Sequence, residues 1–412
     1  MQALVFGVAP ETSTVEDDDL DNQLLRSLAR TPMRLLELDD PPFLGPDWVV
    51  TRPRLSGICG SDAKQVFMDW GEVTDDNPMG AFFSLPQVLG HEVVADVVAT
   101  GPAAEGVEVG DRVVLNPWLS CAPRGIDPPC PACVAGDYSL CWNFARGRLT
   151  PGIHTGVSSD ATGGWADLMP AHDSMLFPVP GDLADELAVL ADPFAVSLHS
   201  VTRHPPPSDG KVLVYGAGAL GICATAILRA LHPNVEVLVV ARFDAQAEFA
   251  RELGAEVIPH EPALAVVERA SAWSGGTLVA GDGLPMAYPG AIDVVYDTIA
   301  KRETLEVGAR VLKARGTLVR SGVHGPTLWE DTPLYFKELA MVGSNAFGVE
   351  EVDGIRRHGI EHALELLRTR VNLTGMVTHT FPLREWRAAF ATLATQDRSG
   401  AIKVAFDLRD ES

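Results

Sequence analysis

Two textures in one chain predict the fold class: a β-rich domain joined to an α/β domain with a doubly wound parallel sheet. Three observations carry this. Ahead of Gly210 the apolar runs are short, strand-like and punctuated by Gly and Pro. From Gly210 onward, runs of strand length alternate with runs of helical period. At the head of that second region the apolar strand Val212-Leu213-Val214-Tyr215 runs straight into Gly216-Ala217-Gly218-Ala219-Leu220-Gly221 and then an apolar helix.

Taken in order, residues 2–8 read as a short strand and Glu11 to Asp21 as an exposed acidic loop. Strands follow near Met33–Leu38 and Trp48–Arg54. Residues 65–88 mix Gly, Pro, Asp and aromatics, Trp70 among them, and read as a long loop, either a pocket wall or a surface insertion. Strands at Val93–Thr100 and Arg112–Leu115 are joined through the turn Val109-Gly110-Asp111. Residues 120–150 hold a cysteine cluster, and Pro180–Leu190 leads into a helix carrying Asp192. In the second region, helices at Leu220–Leu231, Ala245–Leu253 and Glu303–Leu312 alternate with strands at Val235–Val240, Ala291–Tyr296, Thr317–Ser321 and Leu339–Gly343. The tail reads as a helix over Ile355–Arg368, a second at Glu385–Ala394 and a strand at Ala401–Phe406 that returns to the first domain.

At 412 residues the chain has room for two substantial cores. A formal net charge of -23 repels phosphates, so neither nucleic acid nor an anionic membrane is expected as a partner. The start, Met1-Gln2-Ala3-Leu4-Val5-Phe6, lacks the charged region of a signal peptide, and no stretch approaches the roughly 18 apolar residues of a spanning helix. The expected compartment is therefore the cytosol. Six cysteines make no disulfide framework, and clustered cysteines in a reducing compartment read as metal ligands.

The glycine loop reads as a dinucleotide site. Gly216 permits a tight turn, Gly218 lets backbone approach a pyrophosphate, and Gly221 lets helix and strand pack closely. Phosphates then meet the free N–H groups of the helix start at Ala219 and Leu220. The next strand ends in Ala241-Arg242-Phe243-Asp244. An acid at the Ala241 position would accept from a ribose 2′-hydroxyl; here Arg242 is placed to pair with a 2′-phosphate, which favours NADP(H). The alternative is Asp244 reaching back to the ribose, which would mean NAD(H).

Two groups of residues read as metal sites. Cys59, His91 and Glu92 supply a thiolate, an imidazole and a carboxylate, the ligand types of a catalytic zinc with one open position. Asp62 is placed to accept from the distal nitrogen of His91 and fix its tautomer, and Ser61 to carry a proton. Asp192, an acid in an apolar run, is either a further ligand or a helix N-cap. The second group, Cys121, Cys130, Cys133 and Cys141, has four thiols within 21 residues, two of them as CxxC, and fits a closed structural zinc. The gap after Cys121 is long for such a site, so its membership is the open one. Cys223, inside a helical pattern, reads as a small core residue.

Together these pieces resemble the medium-chain dehydrogenase/reductase superfamily, zinc-dependent alcohol and polyol dehydrogenase branch. The motifs are Gly57-Ile58-Cys59-Gly60-Ser61-Asp62, Gly90-His91-Glu92, Val109-Gly110-Asp111-Arg112-Val113, the four-cysteine lobe, Asp192-Pro193-Phe194-Ala195-Val196, the Gly216 loop and Gly400-Ala401-Ile402-Lys403-Val404. The resemblance implies a GroES-like catalytic domain over residues 1–193 with a structural-zinc lobe at 120–145, a Rossmann domain over 194–345 and a return to the catalytic domain over 346–412. It implies catalytic zinc on Cys59 and His91, with Glu92 and Asp192 as exchanging or water-linked carboxylates. It puts Ser61 at the proton-relay hydroxyl, Lys403 at the cofactor phosphates and Val323 near the nicotinamide. A homodimer or homotetramer is expected from the same source. Asp192 stands where the polyol pattern has Glu, and Lys64 where an outer relay His is common, so that relay differs or runs through water. The implied reaction moves a hydride between an alcohol or carbonyl substrate and a nicotinamide. Rival readings on the same scaffold are a non-catalytic dinucleotide binder and a zinc-free enoyl or quinone reductase.

Overall fold

The structure, a computed structural model, describes residues 1–11, 21–69 and 78–409. Most of the acidic stretch between Glu11 and Asp21, and the centre of the 65–88 loop with Trp70, lie outside the described residues.

One six-stranded sheet is wholly parallel. Numbered along the chain, its strands Lys211–Tyr215, Glu236–Ala241, Glu256–Pro259, Ile292–Asp297, Leu312–Arg320 and Ala340–Gly343 lie in spatial order 3-2-1-4-5-6. That order reverses direction between the first and fourth strands, which opens a crevice at their carboxyl ends. The first strand reads as a continuous apolar run because both faces are covered: Val212, Leu213, Val214 and Tyr215 are fully buried. Each such side chain contributes about 1.5–3 kcal/mol of burial.

The other large sheet has seven strands and is mostly antiparallel. Its path runs Val377–Phe381, Lys403–Asp407, Trp48–Gly57, Glu92–Thr100, Arg112–Leu115, Leu176–Pro178, and Met169–His172 also pairs with Trp48–Gly57. The strand Lys403–Asp407, late in the chain, thus lies directly beside the strand that leads into Cys59. A small three-stranded sheet of Met33–Glu37, Gln2–Phe6 and Gln87–Val88 stands apart.

Between the two sheets runs the helix Ala191–Arg203. Ser197 Oγ donates to Leu220 O at 2.9 Å, in the helix that follows the glycine loop. Ser200 Oγ lies 2.8 Å from Ser344 Oγ, just past the last strand of the parallel sheet. His199 and Thr202 both meet the buried carboxylate of Glu350, at 2.6 and 2.9 Å.

The tail departs from expectation. Ile355–Arg368 is not one helix: Val349–Val352 and Ile355–His358 form an antiparallel hairpin, and the helix is Gly359–Thr369. The cause is the Asp353-Gly354 pair at the tip, with φ of 51° and 78°, which is the geometry of a two-residue hairpin turn. His358 then caps the helix by accepting from Ile360 N at 3.2 Å. The start of the 65–88 segment also departs, because the helix Gly60–Val66 runs into it.

Candidate active site

The strand Trp48–Gly57 ends, and two residues later Cys59 stands as N-cap of the helix Gly60–Val66. Glu92 opens the neighbouring strand, with His91 just ahead of it. Strand pairing brings Gly57 opposite Glu92, so segments distant in sequence meet at their ends. A side chain at Gly57 would strike the Glu92 carboxylate and the Lys403 stem, so only glycine allows that approach. The donor atoms of Cys59, His91 and Glu92 all lie within 4.8 Å of one another. Behind His91, Asp62 Oδ1 lies 3.3 Å from Nδ1, an ion-pair contact beside the donor set. Burial alone would push the imidazole down, but the Asp62 carboxylate, aided by Cys59, holds it well above the usual histidine range. A thiolate, an imidazole and a carboxylate converging this closely fit zinc with a fourth position open.

Glu92 has a second suitor. Its Oε2 is paired with Lys403 Nζ, and both side chains are buried. Lys403 also donates to Ile58 O at 3.0 Å. Lys403, which the resemblance puts at the cofactor phosphates, thus lies with its ammonium against the carboxylate of the donor cluster. Burial works against that charge, and Glu92 and Cys59 raise it above the ordinary lysine value.

Asp192 is the second residue of the helix Ala191–Arg203, not its N-cap, and lies outside the three-residue donor set. Burial pushes its carboxyl up to about 7, against the pull of His91. It faces the same interior, since Glu92, Lys403 and Asp62 also act on it. Ser61 is half-buried in the first turn after Cys59. Lys64 lies on the same helix, pushed down to about 8 by burial, with Lys301 and Arg320 adding repulsion.

All four lobe cysteines come together, Cys121 included. Cys121 Sγ and Cys130 Sγ lie 3.6 and 3.9 Å from Cys141 Sγ. That is the edge of a tetrahedron about 3.8 Å long, as four Zn–S bonds of about 2.3 Å require, and far from a disulfide. Cys130 N and Asn143 Nδ2 donate to Cys121 Sγ at 3.3 and 3.2 Å, as suits a thiolate. One residue here had no signal in the sequence. Arg124 is fully buried, and its guanidinium donates to the carbonyls of Leu119, Arg146, Leu149, Thr150 and Gly152. It ties the two ends of the lobe together.

At the crevice of the parallel sheet, Gly216 has φ of 101°, and Gly218 caps the helix Ala219–Leu231, whose first residues are Ala219 and Leu220. A side chain at Gly221 would collide with Gly216 O. Arg242 is exposed at the end of its strand and borders a cleft of about 920 Å³ with Phe243, His260, Lys301 and Met68. Asp244 is exposed and begins the next helix. Val323 is exposed and borders a different cleft, of about 750 Å³, with Gly322, Ser344 and Arg320. Cys223 is fully buried in its helix.

His154 was also unmarked in the sequence. Its ring lies against His91 with centroids 4.6 Å apart, and burial pushes it down to about 4. Trp118 stands beside it, with ring centroids 5.8 Å apart at 86°.

Comparison with known proteins bears on the same two regions. A model of the alcohol dehydrogenase GroES-like domain matches residues 45–181, and a zinc-binding dehydrogenase model matches residues 219–367. The (R,R)-butanediol dehydrogenase of Saccharomyces cerevisiae is 26% identical over 351 residues, 81% of this chain and 84% of that one. The fold is shared with an alcohol dehydrogenase (rspB) of E. coli CFT073 complexed with NADH, at a TM-score of 0.73 and 20% identity over 99% of each chain. A zinc-binding dehydrogenase of Sinorhizobium meliloti 1021 bound to NADP gives a TM-score of 0.67 at 25% identity, over 93% of this chain and 97% of that one. Because the two domain models together span more than half of the sequence, and fall on the two sheets that strand order separates, the chain belongs to the zinc-dependent alcohol and polyol dehydrogenase branch of the medium-chain dehydrogenase/reductase superfamily.

Proposed function

We propose that this protein interconverts a secondary alcohol or polyol and its carbonyl, using NADP(H) in preference to NAD(H). The observation that carries the reading is the convergence of Cys59, His91 and Glu92 within 4.8 Å. Bound there, zinc supplies Lewis acidity to the substrate oxygen, and the nicotinamide is the hydride carrier. The chain's own residues do the rest. Cys59 and His91 hold the metal, and Asp62 fixes the His91 ring. Glu92, shared with Lys403, is a ligand able to exchange. Asp192 is a water-linked carboxylate at the edge of the site. Ser61, in the turn after Cys59, takes the proton from the substrate hydroxyl and passes it outward. Cys121, Cys130, Cys133 and Cys141 hold a second, structural zinc.

The dinucleotide lies across Gly216, Gly218 and Gly221 with its phosphates on the helix start at Ala219 and Leu220, and its nicotinamide near Val323. The preference for NADP(H) is supported by exposed Arg242 at a strand end where Ala241 leaves no acid. The exposed Asp244, two residues on, favours NAD(H) instead. We place the enzyme in the cytosol as a homodimer or homotetramer; among the described residues no helix is long and apolar enough to cross a membrane.

Two measurements test this. Metal analysis should return about two zinc per chain, one per donor cluster; one zinc would leave only the lobe, and none would remove both sites and favour a zinc-free reductase. Arg242→Ala should cut kcat/KM with NADP+ by about 10- to 100-fold, the worth of a charge-assisted hydrogen bond, and leave NAD+ nearly untouched. A wild-type protein that works well with NAD+ and poorly with NADP+ would reverse the cofactor assignment.

A further inference from the structure

The cleft that Val323 borders has a basic lining. His199, Arg203, His204, Arg320 and His324 all line it, and among the described residues no acid does. The chain as a whole carries a formal charge of -23, so this cavity runs against the overall balance.

Contacts along the wall fix how the two arginines are placed. Arg320 ends the strand Leu312–Arg320, at the carboxyl edge of the parallel sheet, where ligands of such sheets bind. Its carbonyl accepts from Ser344 N at 2.9 Å. Ser344 Oγ lies 2.8 Å from Ser200 Oγ, and Arg203 stands one turn further along the helix Ala191–Arg203. Two segments far apart in sequence thus bring a guanidinium each to one opening.

Neither charge is matched. Among the described residues, Arg203 and Arg320 have no carboxylate at ion-pair distance, and the Arg320 guanidinium donates only to His324 O, at 3.3 Å. Buried Asp297 feels Arg320, but its oxygens already accept from Ile299 N, Ala300 N and Thr304 Oγ1. Glu350, behind His199, is held in the same way by His199, Thr202 and Gly348 N. The dipole at the helix C-terminus accounts for one cation there, but not for a second arriving from the sheet. The field shows in the neighbours. Burial holds His204 below the ordinary histidine range, and Arg203 and His199 add repulsion. Arg320 also repels Lys64, on the helix that follows Cys59.

Two guanidiniums without counter-ions select a ligand by charge and shape. Each presents a planar fork of donors that fits a pair of phosphate oxygens. A phosphate dianion matches both charges, and a carboxylate only one. The dinucleotide's own phosphates belong elsewhere, since neither the glycine loop nor Arg242 lines this cleft. We propose that Arg203 and Arg320 bind a phosphate dianion in this cleft, either free in solution or carried as a monoester on the substrate. The first source stands apart from the dehydrogenase reading. The second rests on it, because only that reading puts the nicotinamide near Val323.

The probe is inorganic phosphate, titrated calorimetrically into the zinc-loaded protein at low ionic strength, with and without saturating NADP+ or NAD+. One site per chain should fill in every case, and acetate should bind at least about tenfold more weakly. Arg203→Gln and Arg320→Gln should each weaken phosphate by about 10- to 100-fold, the worth of a charge-assisted hydrogen bond. Thermal melting checks that both variants fold. Turnover of glucitol and of its terminal phosphate monoester then separates the two sources. A substrate-borne phosphate predicts a preference for the ester that Arg203→Gln reduces by about 10- to 100-fold in kcat/KM, with glucitol itself changed by less than about twofold. Equal turnover of both polyols, with phosphate still bound, assigns the site to the free ion. No saturable phosphate binding, or binding unchanged in both variants, would overturn the assignment. So would phosphate displaced by the dinucleotide, which would give both arginines to the cofactor. If neither polyol is oxidised with either nicotinamide, the dehydrogenase reading is what suffers, and the calorimetric result still decides this site.

Discussion

Cys59→Ser is expected to lower kcat by at least about a thousandfold, because polarisation of the substrate oxygen by a metal is worth several kcal/mol. Nicotinamide binding should change by less than about threefold, since the glycine loop and Arg242 lie on the other sheet. The argument turns on how thin the donor set is. A serine hydroxyl is a poor ligand for zinc at neutral pH, so the variant keeps only His91 and Glu92. Glu92 is already claimed by Lys403, which leaves little to retain the ion. Metal content should therefore drop from about two per chain to about one, the four-thiol lobe keeping its own. Steady-state kinetics, fluorescence titration of the dinucleotide and metal analysis together check the result. Undiminished turnover in this variant would break the scheme.

The second large effect is expected at a residue with no part in the chemistry. Arg124→Met fills similar space but withdraws a guanidinium that serves five backbone carbonyls in a fully buried setting. Several of those carbonyls are sealed from water, and each buried acceptor left without its donor costs about 1–3 kcal/mol. The loss should be local at first, because Arg124 stitches Leu119 and Arg146 to Gly152 around the lobe. Denaturant titration should show the drop in stability, and the four cysteines should become reactive to a thiol reagent well below the global transition. A variant of wild-type stability with protected thiols would show that the lobe is held by its metal alone.

What could be read in advance follows sequence distance. The four-cysteine lobe was legible because its ligands are crowded into one stretch, and the glycine turn because strand, loop and helix follow one another. The parallel sheet announced itself through the alternation of runs after Gly210. The Asp353-Gly354 pair was a hairpin signal in plain view, overridden by the helical look of the segment that follows it. Other features had no local trace. Lys403 and Glu92 meet only because their strands flank Trp48–Gly57. His154 and Trp118 are brought together by a single bridge, and Arg124 looks like any surface arginine until the loops close over it. Buried polar contacts between distant segments are set by tertiary packing, and spacing along the chain does not encode them.

The reach from Lys403 to Ile58 spans 345 positions along the polymer. On the ribosome, then, Cys59 and His91 emerge long before the ammonium that restrains their carboxylate neighbour. The Glu92–Lys403 pair can therefore form only once the strand Lys403–Asp407 is laid beside Trp48–Gly57.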